Sequence, residues 1–141
     1  MTSALPLLFV VASLVVLGVT GNLFAWSPFV IAAQATAVVL NLWARRSFQA
    51  GTFRVSAAPA GSAIIRRGPY RVIRHPMYSA VLLFMWAGVV SHLSLLTVAI
   101  GTAVTAVSIA RIIVEERLLQ ATYPEYRDYA RSTKALVPYL F

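Results

Sequence analysis

The chain has 141 residues, of which 60% are hydrophobic and 11% charged, with a formal net charge of +8 and a mean hydropathy of +0.78. A soluble domain carries ~25% charged residues, so an ordinary water-facing globule is excluded and a single integral membrane domain, residues 1–141, is expected. The chain contains no cysteine, which rules out disulfides, zinc–thiolate sites and thiol nucleophiles; no metal site is expected.

All twelve Lys and Arg residues fall within 45–74 and 111–134, and residues 1–44 have no ionisable side chain. A nucleic-acid binder would show a basic stripe on a soluble scaffold. Here the basic windows flank apolar stretches, the pattern of the positive-inside rule. The charge therefore indicates membrane orientation, with the bilayer and not nucleic acid as partner.

In chain order, the first apolar block is too long for one span of ~20 residues. Gly21-Asn22 and Ser27-Pro28 divide it into predicted helices over 4–21 and 28–44. It lacks a basic n-region and outlasts a signal-peptide core, so the first helix reads as a retained span. Ala33, Ala37 and Asn41 lie on one face of the second helix, a small-residue stripe that permits close helix approach. Residues 47–70 are punctuated by Gly and Pro and read as a loop, with a candidate hairpin turning near Gly61-Ser62.

Residues 76–110 carry no formal charge. They predict two further spans, 76–90 and 94–114, joined by a turn over Gly88 to Ser94. The last helix should continue past the hydrocarbon to near residue 120, since Arg111, Glu115, Glu116, Arg117 and Gln120 follow without a breaker until Tyr123-Pro124. Thr102, Ala106 and Ala110 form a second small stripe. About four spans, an all-α polytopic membrane helix bundle, bring both basic windows to one face. That face is expected to be cytoplasmic, with both termini on it.

Two clusters could do chemistry: Arg71 to Tyr78 (RVIRHPMY) and Arg111 to Glu116 (RIIVEE). A hairpin of two membrane helices returns the second to the first. Each has a bland explanation. Pro76 suits the first position of a helix, which makes His75 a capping residue, and Tyr70, Tyr78 and Trp86 suit an interfacial aromatic belt. Arg111 and Glu115, four apart, can pair on one helix face or snorkel to water. Three consecutive charges, Glu115-Glu116-Arg117, are harder to explain as a solvated helix end. Adjacent carboxylates repel, and Arg66, Arg67, Arg71 and Arg74 on the same membrane face offer counter-charges. A functional pocket is the better reading.

Gly68-Pro69-Tyr70, Arg74-His75-Pro76-Met77-Tyr78 and Glu115-Glu116, followed by Tyr123-Pro124-Glu125-Tyr126, Tyr129 and Leu136-Val137-Pro138, resemble the isoprenylcysteine carboxyl methyltransferase family and its relatives, the membrane phospholipid methyltransferases. The resemblance covers residues 66–141. RHPxY followed at this distance by EE is specific, whereas either half alone is weak. Ala80 departs from the pattern, standing where the family often has glycine, which bears on close backbone packing there.

The resemblance implies a membrane methyltransferase using S-adenosylmethionine, held in a cytoplasmic pocket of the C-terminal half. The cofactor residues it implies are Tyr70, Arg74, His75, Pro76, Tyr78, Glu116, Leu136, Val137 and Tyr139. The chemistry is compatible: a carboxylate suits Arg74 or His75, an ammonium suits Glu116, a sulfonium suits the face of Tyr78, and adenine suits the apolar tail. Arg111 and Glu115 are the candidates for the catalytic side. Arg111 would orient an acceptor carboxylate, and Glu115 would take the proton of an amine or hydroxyl acceptor.

The acceptor implied is lipophilic, such as a prenylated cysteine or phosphatidylethanolamine, entering sideways between helices. Gly18 to Gly21 lies within a span and follows no strand, so a soluble Rossmann-type methyltransferase is excluded. Other readings are a sterol-reductase-like enzyme using NADPH, a non-enzymatic membrane subunit, and a transporter, the last disfavoured because no inverted repeat is present.

Overall fold

The computed structural model describes residues 4–47 and 64–138. Its elements are α1 (Leu5–Val19), α2 (Pro28–Arg46), a 3-10 turn (Gly68–Arg71), α3 (Pro76–Ser91), α4 (Leu95–Thr122) and α5 (Tyr126–Ser132). Among the described residues no strand forms; a lone parallel bridge joins Ile73 to Lys134.

Local chemistry accounts for the helix limits. Proline occupies the first turn of α1, α2 and α3, where its missing N–H is no loss. Ser94 caps α4, its Oγ accepting from the Thr97 amide at 3.1 Å while Thr97 Oγ1 accepts from the Ser94 amide at 2.9 Å. The α1–α2 link turns through Gly21 at φ +72°, a left-handed conformation that glycine adopts without strain.

The architecture is an all-α membrane helix bundle. Helices α2 and α4 are long and apolar enough to cross a bilayer, and α1 and α3 are shorter apolar helices. Large hydrophobic side chains, among them Trp26, Phe29 and Leu95, face outward, as lipid contact requires. With 28 residues, α4 is about 42 Å long, more than the ~30 Å hydrocarbon core, so its C-terminal turns project beyond it as the charge pattern predicted.

Helix α3 packs against α2 and α4, and α1 packs on α4. Leu17, Leu23, Met85, Val89 and Val104 form a buried cluster. Beside it the buried Gln34 donates through Nε2 to the carbonyls of Leu23, at 2.7 Å, and Phe84, at 3.3 Å. That amide joins the α1–α2 link, α2 and α3 in a region where unpaired carbonyls are costly.

Three expectations change. Gly88 is not a turn residue: α3 runs to Ser91, and only His92, Leu93 and Ser94 make the link. Gly88 is buried against the Leu23 carbonyl, which leaves no room for a Cβ. Gly88→Ala should therefore lower the melting temperature in detergent, in proportion to an overpacking cost of about 2 kcal/mol; an unchanged melting curve would show that the link simply moves aside.

The small-residue stripe of α4 is the second change. Thr102, Ala106 and Ala110 are exposed, while Thr97, Gly101, Val104, Ser108 and Ile112 face the bundle, with Gly101 against the Trp86 ring. On α2, Ala37 is buried as expected, in a row with Val30, Gln34 and Ala44. Third, residues 68–71 form a 3-10 turn where a loop was expected. The candidate hairpin at Gly61-Ser62 lies outside the described residues.

Candidate functional site

The site gathers where α3 begins, α4 leaves the bundle and the tail returns. Pro76 starts α3 and leaves His75 in a non-helical conformation, φ −124° and ψ 56°. The chain on either side of His75 pairs with the tail: Lys134 N donates to Val72 O at 3.0 Å, Arg74 N to Lys134 O at 2.8 Å, and His75 N to Ala135 O at 3.0 Å. Ser79 Oγ donates to Leu136 O at 2.5 Å, tying the tail to the first turn of α3. These contacts hold the RHP segment rigid before any side chain is considered.

From this frame Arg74 and His75 converge on one oxygen of α4. Arg74 Nε donates to Glu116 Oε1 at 2.7 Å, and His75 Nε2 lies 3.1 Å from the same atom. A carboxylate accepts only, so this contact sets the His75 proton on Nε2. His75 is the N-cap residue of α3, as expected, but its side chain makes no cap bond and is only 3% exposed. Arg74 also donates from Nη1 to the carbonyls of Ala130, at 2.9 Å, and Thr133, at 2.5 Å. One guanidinium thus binds α4 and the C-terminal end of α5, where helix carbonyls lack internal partners.

The neighbouring carboxylate points elsewhere. Glu115 Oε2 accepts from the Tyr78 hydroxyl at 3.1 Å, and Arg111, one turn earlier on α4, also interacts with that hydroxyl. The repulsion between Glu115 and Glu116 is relieved by about 100° of helix rotation, which gives each its own donors. Tyr78 joins the Arg111–Glu115 side, while its ring packs edge-on to His75 at 5.8 Å between centroids. It connects the two groups.

The other arginines have separate duties. Arg67 Nε donates to Ser47 O at 2.8 Å, holding the end of α2 against the 3-10 turn. Arg66 donates to Glu125 O at 3.2 Å and lies 5.5 Å above the Tyr129 ring centre, within cation–π range. The Tyr129 hydroxyl donates to Tyr70 O at 2.7 Å. Burial pushes Tyr129 up to about 12, against the opposing charges of Arg74 and Arg66. Burial likewise raises Tyr70 and Tyr126, so all three remain protonated donors at neutral pH.

Two cavities adjoin this framework. A charged one of about 370 Å³ is bounded by Arg74, Glu116 and Lys134 on one side and by Ile109, Ile112, Ile113 and Leu136 on the other, with Ala130 and Thr133 of α5 closing it. An apolar groove of about 650 Å³ runs between α2 and the start of α3, past Leu40, Trp43, Ile73 and Leu83 to Val137 and Pro138. Leu136 lines both, so a single tail residue divides a charged chamber from an apolar one. Both volumes fall in the ~300–1,000 Å³ range of small-molecule sites.

A family model described as phospholipid methyltransferase matches residues 28–126. The chain belongs to the phospholipid methyltransferase family. The match takes in Arg74, His75, Tyr78, Arg111, Glu115 and Glu116, and it stops at Tyr126, before the tail. A relative, the cobalt-zinc-cadmium resistance protein CzcN of Cupriavidus metallidurans, is 32% identical over 80 residues, or 56% of this chain and 37% of CzcN. The chain thus spans well under half the length of that curated relative. No solved structure matches.

Of the residues singled out from sequence, Arg74, His75 and Glu116 come together, as do Tyr78 and Glu115 with Arg111. Pro76 is buried and starts α3, Tyr70 contributes its carbonyl, Leu136 divides the cavities, and Val137 lines the apolar groove. Tyr139 lies outside the described residues. Sequence reasoning missed Ser79, Thr133 and Lys134. Thr133 and Ser79 are ordinary polar residues with no spacing signal, and Lys134 reads as one more basic flank.

Proposed function

We propose that this protein transfers a methyl group from S-adenosylmethionine to a lipophilic acceptor, with the carboxylate of a prenylated cysteine or a similar small hydrophobic molecule as the favoured substrate. The observation that carries this reading is the convergence of Arg74 and His75 on Glu116 at the rim of a cavity that is charged at one end and apolar at the other.

The donor set fits the cofactor. Glu116 Oε1 serves Arg74 and His75, and its second oxygen suits an ammonium. Arg74 suits a carboxylate, while Ile112, Ile113 and Leu136 suit an adenine face. When bound, the cofactor would supply an electrophilic methyl group, with S-adenosylhomocysteine as its leaving product. Arg111 holds an acceptor carboxylate in line, and such an acceptor needs no base. The apolar groove beyond Leu136 suits the hydrocarbon chain. We assign the charged end of the bundle to the cytoplasmic side, following the basic residues gathered there.

A second reading is N-methylation of phosphatidylethanolamine, which the family's description favours. An ammonium acceptor must first lose a proton, and Glu115, which accepts from the Tyr78 hydroxyl, is the candidate base. The experiment that tests the proposal is calorimetry or thermal shift in detergent with S-adenosylmethionine, S-adenosylhomocysteine and NADPH. Stabilisation by the first two alone is the expected result. Stabilisation by NADPH alone would mark a reductase, and no response to any of the three a non-enzymatic subunit. A screen of prenylcysteines against phosphatidylethanolamine then identifies the acceptor.

A further inference from the structure

The charged cavity holds more positive charge than its own residues balance. Its lining includes two cations, Arg74 and Lys134, and one carboxylate, Glu116. Arg74 spends most of its donors inside the protein: Nε donates to Glu116 Oε1, and Nη1 donates to the carbonyls of Ala130 and Thr133. Among the described residues only its Nη2 is uncommitted, so Arg74 cannot offer a ligand carboxylate two parallel donors.

Lys134 is placed differently. It is exposed, and its hydrogen bonds among the described residues are those of its backbone, from N to Val72 O and to its own carbonyl from Arg74 N. Those two bonds and the parallel bridge to Ile73 fix its backbone, so the cation hangs from a held point on a flexible stem. A lysine at a membrane face is ordinarily a topological flank. Lys134 departs from that role because it lines a cavity whose one carboxylate already serves Arg74 and His75.

The rest of the lining limits what the missing counter-charge can be. Ile109, Ile112, Ile113 and Leu136 form an apolar wall, which suits the body of a ligand and offers nothing to an ammonium. A molecule that satisfies the whole cavity carries an anion and an apolar or aromatic part together. We infer that Lys134 is a cofactor-binding residue, its ammonium holding the carboxylate of S-adenosylmethionine beside Arg74 Nη2. The inference rests on the cofactor reading above and adds to it a charged contact from the tail, which neither RHPxY nor EE contains. Lys134 has no part in the transfer step.

The test uses Lys134→Gln and Lys134→Arg in the full chain, with two ligands measured by calorimetry and the ligand-free melting temperature recorded. S-Adenosylhomocysteine carries the carboxylate, and its decarboxylated analogue keeps the ammonium and lacks it. Lys134→Gln is expected to bind S-adenosylhomocysteine about fivefold more weakly, the loss of an ion pair at a solvent-accessible site. Lys134→Arg keeps the charge and should restore most of that affinity. Neither substitution should change affinity for the decarboxylated analogue or the ligand-free melting temperature, because the fold holds Lys134 by its backbone.

Undiminished affinity of Lys134→Gln for S-adenosylhomocysteine would overturn the inference and leave Lys134 a topological flank. Equal losses for both ligands would overturn it too, since the carboxylate would then not be what Lys134 recognises. A lower ligand-free melting temperature would overturn it in favour of a structural cation. Failure of the wild-type protein to bind S-adenosylhomocysteine would instead defeat the cofactor reading, and this inference with it.

Discussion

Glu116→Gln is expected to abolish stabilisation by S-adenosylhomocysteine and to lower the melting temperature of the ligand-free protein. The substitution keeps the shape of the side chain and removes its charge. Arg74 is then left 13% exposed without its counter-ion, and the oxygen it shares with His75 becomes an uncharged, weaker acceptor. Breaking a buried ion pair from one side costs about 3–5 kcal/mol; the 21% exposure of Glu116 reduces this to about 2 kcal/mol, or roughly 5 °C in melting temperature. Ligand binding suffers separately, because an amide does not attract an ammonium as a carboxylate does. Both effects are read from one set of melting curves with and without ligand. A variant that melts lower yet responds fully to S-adenosylhomocysteine would reduce Glu116 to a structural counter-ion and remove the proposed ammonium contact.

Arg111→Ala should do the opposite. Arg111 lies on the Tyr78–Glu115 side of the site, away from Glu116 Oε1, so the thermal response to S-adenosylhomocysteine should survive. Methyl transfer should fall by about 100-fold or more, since an acceptor no longer held in line loses most of its productive orientations. Arg111→Lys should restore little, because an ammonium cannot present two parallel donors to a carboxylate. The measurement is single-turnover transfer to a prenylcysteine beside ligand-induced melting shifts. Loss of cofactor binding equal to that of Glu116→Gln would abolish the division of labour between the two groups. Tyr78 makes that division less clean than its sequence position implied, because its hydroxyl bonds to Glu115 while its ring contacts His75.

Much of this was legible in the residue order, for physical reasons that act locally. Apolar runs of span length must become helices in lipid, where every backbone polar group needs an internal partner. Proline at positions 28 and 76, the Ser94 cap and the Tyr123-Pro124 stop set helix limits by chemistry confined to one turn. The predicted spans 4–21, 28–44 and 76–90 fall within two residues of the helices observed. The spacing of RHPxY and EE pointed to two segments that the structure brings together, because a helical hairpin leaves its ends side by side.

Other features depended on contacts between distant segments. Gly88 has the same composition signal as a turn glycine, yet it lies inside α3, where the Leu23 carbonyl packs against its backbone. The stripe Thr102, Ala106 and Ala110 of α4 suits close packing, yet the position of α3, with Trp86 against Gly101, turns a different face of α4 inward. The tail is the clearest case. Thr133, Lys134 and Leu136 carry no periodic or motif signal, yet backbone bonds to Val72, Arg74 and His75 make them walls of the charged cavity.

The sequence alone determined a membrane bundle with its charge gathered at one end, since hydropathy and helix length act through the solvent and need no knowledge of neighbours. The tertiary structure decided how those two clusters are wired. Arg74 and His75 share Glu116, Tyr78 takes Glu115, and the Tyr126 hydroxyl is left without a partner among the described residues. Hydrogen bonds act over about 3 Å, and which atoms come that close is a property of how the helices pack, not of their order along the chain.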